Sequence, residues 1–160
     1  MGIRSAVKTI LVGYDASDAA ERVLDRAAEL AEALSAHLVV VSVSTPMLPP
    51  APVLEPGGPM LVPGGTPLTG SLPEGEPDPK KLAQRRLEQA RARLAPRGID
   101  AEYVAEVGPP AERLLAVADE RDAELIVVGS GEHGLLERLV TPPVEEAVAR
   151  RARRDVLIVH

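Results

Sequence analysis

The stretch Leu125–His160, LIVVGSGEHGLLERLVTPPVEEAVARRARRDVLIVH, decides the fold. A short apolar run, Leu125–Val128, ends at Gly129-Ser130-Gly131. A loop then leads into helical spacing near Thr141–Ala152, and a second apolar run, Val156–Val159, follows. Short β-branched runs that are apolar throughout fit strands covered on both faces, as in parallel sheets. Strand, glycine-rich turn and helix start are also how α/β proteins build an anion pocket, because free amide N–H groups and the helix dipole favour negative charge. Here Pro142 and Pro143 stand where those N–H groups would be wanted, and proline has none.

The rest of the chain repeats this unit. Val7–Tyr14 (VKTILVGY) reads as a buried strand. Asp15-Ala16-Ser17-Asp18 supplies N-cap residue types, and Val23, Ala27, Leu30, Ala31 and Leu34 share one face of a helix over Ala19–Leu34. His37–Val43 (HLVVVSV) is a second strand. Lys80–Leu94 has helical spacing through Leu82, Leu87, Ala90 and Leu94, and Pro96-Arg97-Gly98 stops it. Ala101–Val107 alternates as a strand, and Gly108-Pro109-Pro110 opens a helix through Ala118. Strands alternating with helices imply an α/β fold: a doubly wound five-stranded parallel sheet, strand order 3-2-1-4-5, with helices on both faces. A ligand should lie beyond the carboxyl ends of the first and fourth strands, where the winding reverses. Asp15–Asp18 and Gly129–Thr141 are the loops there.

We expect one domain over residues 1–160, with a Pro/Gly-rich insert at about 44–79 read as a surface loop rather than a functional lid. Aromatic residues make up 1% of the chain, with two Tyr and no Phe or Trp, so the core is aliphatic and base stacking on aromatic platforms is nearly excluded. A net charge of −6 argues against binding nucleic-acid backbones. With no Cys and scattered His37, His133 and His160, neither disulfides nor a metal site is expected. No run is long enough to span a bilayer and nothing reads as a signal peptide, so a cytoplasmic location is expected.

Five segments in order carry a resemblance. Ile10–Ser17 (ILVGYDAS), Val39–Val43 (VVVSV), Val107–Glu112 (VGPPAE), Leu125–Ser130 (LIVVGS) and Asp155–Val159 (DVLIV) resemble the universal stress protein family over essentially the whole chain outside the insert. The resemblance implies a role for Asp15 near a bound nucleotide and a backbone contact from Val43 to adenine. It also implies a twofold homodimer through the C-terminal strand Val156–Val159, and an apolar edge strand would need such cover in any case.

The family's nucleotide-binding branch carries Gly, two residues, Gly, nine residues, then Gly and Ser or Thr. Laid on this chain, Gly129 matches and Val144 matches the residue after the motif, but Glu132, Pro142 and Pro143 replace the other glycines and the hydroxyl residue. Two amide donors are thereby lost, at about 1.5–3 kcal/mol for each charge-assisted bond. Glu132 adds a charge that would repel a phosphate by around 4 kcal/mol at about 4 Å and a surface-like dielectric. Gly131 and Gly134 offer a shifted Gly-x-x-Gly spacing, with His133 as a cation, but nine residues beyond Gly134 stands Val144 instead of a glycine. The candidate nucleotide residues are therefore Asp15, Val43, Gly129, Ser130, Gly131, Gly134 and Val144, with no catalytic residue and no metal ligand.

Each has a plain structural alternative. Asp15 can equally cap the first helix, and Thr141-Pro142-Pro143 with Glu145 can simply start the last one, Thr141 as N-cap. Arg150–Arg154 reads as a solvated helix end. Gly129-Ser130-Gly131 lacks the Gly-x-Ser-x-Gly pattern of a nucleophile turn. An ATP pyrophosphatase would carry Ser-Gly-Gly where this chain has Asp15-Ala16-Ser17. The favoured reading is a non-enzymatic stress-response protein with weakened or lost ATP binding and no resident cofactor. The alternative is a sensor of ATP, AMP or a cyclic nucleotide, with AMP-type ligands asking less of the altered loop. No nucleic-acid or membrane partner is expected.

Overall fold

A computed structural model describes residues 7–46, 78–131 and 143–160. Their elements run β1 (Thr9–Gly13), α1 (Asp18–Leu34), β2 (His37–Ser44), α2 (Pro79–Leu94), β3 (Ala101–Val107), α3 (Pro110–Glu120), β4 (Leu125–Gly129), α4 (Val144–Arg151) and β5 (Asp155–Val159). The strands form one sheet, ordered β3-β2-β1-β4-β5, and every pairing is parallel. This is the expected doubly wound α/β arrangement.

The sheet separates two aliphatic cores. Ile10, Val12, Leu38 and Val40 pack against Val23, Leu24 and Ala27 of α1 and Leu87, Ala90 and Leu94 of α2. The alternate positions Leu11, Val39 and Val41, with Ile126 and Val128, pack against Leu114, Val117 and Ala118 of α3 and Val148 of α4. Strand periodicity puts neighbouring residues on opposite faces, so an all-apolar run is what two covered faces demand.

The helices depart from their sequence stripes in instructive places. Ser17 is the N-cap of α1, its Oγ accepting from the Ala20 N–H at 3.1 Å. Leu34, expected on the buried face, is 45% exposed at the last turn of α1. Ala83, not Leu82, is the buried residue in the first turns of α2. The expected N-cap Thr141 lies outside the described residues; Pro143 occupies the N-cap position of α4 and makes no side-chain cap. The basic run is not uniformly solvated either. Arg154 is only 20% exposed at its side chain, and its guanidinium donates to the Ala118 carbonyl at 2.8 Å, to the Ala123 carbonyl and to Asp119. It therefore closes the C-terminal end of α3.

Candidate functional site: a cleft at the carboxyl edge of the sheet

Strand lengths create the site. β1 pairs with β2 only as far as Gly13 opposite Val41, whereas β2 continues to Ser44. In a parallel ladder alternate residues bond to opposite neighbours. Ser44 turns toward β3, its carbonyl accepting from the Gly108 N–H at 3.0 Å, and Val41 turns toward β1, its carbonyl accepting from the Tyr14 N–H at 2.9 Å. Val43 has the same sense as Val41, but β1 has already ended. Its N–H and C=O thus face the space that β1 leaves.

That space is a cleft of about 470 Å³, lined by residues from β1, β2, β4, α1, α2, α3 and α4, a size typical of small-molecule sites at about 300–1,000 Å³. Asp15, Val43, Gly129, Ser130, Gly131 and Val144 all line it. Gly134, like Glu132, His133 and Pro142, lies outside the described residues. Sequence reasoning passed over Tyr14, Ser44, Leu82, Arg86 and Glu145, which also line the cleft. Leu82, read from its spacing as a core residue, is 37% exposed and forms part of the cleft wall.

At the β1 side, the Asp15 carboxylate accepts from the Ser17 N–H at 3.0 Å and from the Ser17 hydroxyl at 2.6 Å. Ala16 between them sits at φ +65°, a left-handed conformation that costs a non-glycine residue some strain. Asp15 therefore shapes the turn ahead of α1 and still borders the cleft. Tyr14 is 3% exposed. Burial raises its phenol above the ordinary value, and the nearby Glu21 carboxylate pushes the same way.

At the β2 end, Arg86 of α2 donates from Nη1 to the Val43 carbonyl at 3.3 Å. Ser44 is buried and its hydroxyl has no hydrogen-bond partner among the described residues. Buried polar atoms without partners are uncommon and mark places where a ligand or water can add a bond.

Among the described residues the β4 end is poorer in donors. Gly129 has a packing reason to be glycine, since a Cβ there would come within 3.0 Å of Val23 Cγ2. The Ser130 N–H is taken by the Val159 carbonyl at 2.8 Å. Pro143 contributes no N–H to the start of α4, and Glu145 and Glu146 place two carboxylates in its first turn, where they complement the helix dipole themselves. Among the described residues no group of three or more His, Asp or Glu could hold a metal ion.

This fold and cleft can be set beside known proteins. The sequence profile of the universal stress protein family matches residues 6–61 and 60–160. The chain belongs to the universal stress protein family. Universal stress protein Rv1636 of Mycobacterium tuberculosis is 35% identical over 159 residues, covering 98% of both chains. A crystal structure of a universal stress protein in complex with cAMP is 30% identical, covers 98% of this chain and 99% of its own, and superposes with a TM-score of 0.67. The universal stress protein from Archaeoglobus fulgidus in complex with dAMP is 26% identical over 97% of this chain and 99% of its own, with a TM-score of 0.61. The parallel five-stranded sheet is the architecture of these universal stress protein structures.

Proposed function

We propose that this protein is a non-enzymatic stress-response protein whose cleft takes an adenine nucleotide with a single phosphate and holds ATP weakly or not at all. One contrast carries the reading: the β2 end of the cleft keeps open backbone groups at Val43, while the β4 end has its Ser130 amide occupied and a proline at the N-cap of α4. A base needs the first end. A polyphosphate needs the second, and the substitutions Glu132, Pro142 and Pro143 in the family's glycine motif work against it. The ligands of two relatives, cAMP and dAMP, each carry one phosphate.

In this reading Asp15, Val43, Gly131 and Val144 contact the nucleotide, Gly129 and Ser130 line its cleft, and Gly134 stays a candidate by its sequence spacing alone. Ser130 and Gly129 serve mainly to shape the cleft floor. The domain is single, and the protein works as a homodimer in the cytoplasm. β5 is an outer strand whose residues Val156–Val159 are half-buried, and a groove of about 480 Å³ runs beside Leu157–Val159 against Arg22, Asp25, Arg26 and Glu29 of α1. A second copy pairing along Val156–Val159 would cover both. No helix among the described residues is long and apolar enough to cross a membrane. Calorimetric titration with AMP and cAMP tests the proposal. Saturable binding of about one nucleotide per chain supports it, and no heat of binding up to millimolar ligand refutes it.

A further inference from the structure

We infer that Arg86 reads the base: its guanidinium and the Val43 carbonyl together form a donor–acceptor pair that complements one edge of adenine. The inference rests on the adenine-nucleotide reading above and assigns the part of that site that no glycine motif describes.

The Val43 carbonyl projects beyond the end of β1 into the cleft, and its one partner among the described residues is Arg86 Nη1 at 3.3 Å. That distance is long for an N–H···O bond. A carbonyl oxygen has two lone pairs and a guanidinium five N–H donors, so both keep capacity for a ligand. Arg86 is also well placed to keep its position. The next residue, Leu87, is buried in the core shared with β1 and β2, and Leu82, one turn earlier, forms an apolar wall of the same cleft.

Adenine presents an amino donor at N6 between two ring acceptors, N1 on one edge and N7 on the other. An acceptor beside a donor matches either edge, by the same logic that pairs an amide side chain with N6 and N7. Hypoxanthine in the same placement sets O6 against the Val43 carbonyl, and on the N1 edge sets N1–H against the Arg86 donors. The pair therefore favours adenine. One further observation points to a ligand at this end. The Ser44 hydroxyl is buried, without a partner among the described residues, and borders the same cleft.

The test uses the intact protein and its Arg86→Ala variant, titrated with AMP, 1-deaza-AMP, 7-deaza-AMP and IMP. The wild type should bind AMP best and lose roughly tenfold with IMP and with one of the two deaza analogues. Arg86→Ala should bind AMP about tenfold more weakly and no longer distinguish AMP from that analogue. Arg86→Gln, which keeps an N–H donor, should restore part of the distinction. Unchanged AMP affinity in Arg86→Ala, or the same deaza penalty in both proteins, overturns the assignment while leaving the adenine-nucleotide site standing. A wild type that binds no adenine nucleotide removes the underlying reading instead. Because Arg86 is partly exposed and its bond to Val43 is long, the variant should unfold within a few degrees of the wild-type midpoint.

Discussion

The Ser130 amide donates to the Val159 carbonyl at 2.8 Å, which ties the loop after β4 to the outer strand β5. The first amide beyond β4 is therefore part of the sheet and not of an anion pocket. Ser130→Pro removes that donor. It should lower stability by about 1 kcal/mol in urea titrations and leave AMP affinity within about threefold of wild type. A large loss of AMP affinity at unchanged stability would mean that the ligand uses this amide after all.

Gly129 illustrates how a motif residue can be retained for packing. Gly129→Ala brings a methyl to 3.0 Å from Val23 Cγ2, and overpacking of this kind costs about 1–3 kcal/mol. Combining it with Val23→Ala should cost less than the sum of the two single changes, because the smaller side chain removes the clash. Strict additivity in the double-mutant cycle would contradict the contact.

The basic run near the C-terminus contains one structural residue among solvated ones. Arg154→Ala should destabilise by about 2 kcal/mol, since it strips charged donors from the Ala118 and Ala123 carbonyls. Arg150, 76% exposed at its side chain and paired with Glu146, should be neutral to within about 0.5 kcal/mol when changed to Ala. Thermal midpoints of the two variants make the comparison.

Acid should weaken the fold through three carboxylates held below their ordinary values. The Arg93 guanidinium lowers Asp25, and Arg121 lowers Glu102. Burial alone would raise Glu124, but hydrogen bonds from the Thr9 and Lys8 amides outweigh it and the net direction is down. A carboxyl depressed in the folded state adds stability above its unfolded value, lost as pH falls through the folded one. Glu124→Gln should therefore cost stability at pH 7 and approach wild type near pH 3. Parallel curves for the two proteins in urea between those pH values would contradict the role given to Glu124.

Much of this was legible in the chain because strands covered on both faces need uninterrupted apolar runs, and Ile10–Val12, Leu38–Val41 and Ile126–Val128 supply them. The N-cap of α1 was legible only as a segment, Asp15–Asp18, within which Ser17 does the capping, and the cleft position of Asp15, Gly129 and Val144 followed from the strand order and the family resemblance. What was hidden depends on register between distant strands. Nothing near Val43 in sequence says that β1 stops two residues short of it, and nothing near Arg86 says that α2 delivers its guanidinium to that rung. Leu34 and Leu82 misled for a related reason: a helical stripe does not say which of its apolar residues the neighbouring elements leave exposed.

The central claim is that the cleft keeps its base end and has lost its grip on a polyphosphate. Competition calorimetry of AMP against ATP on the wild-type dimer or monomer, at one ionic strength, measures that directly. The account predicts AMP at least tenfold tighter, a gap of about 1.4 kcal/mol. ATP binding as tightly as AMP, or more tightly, would contradict it.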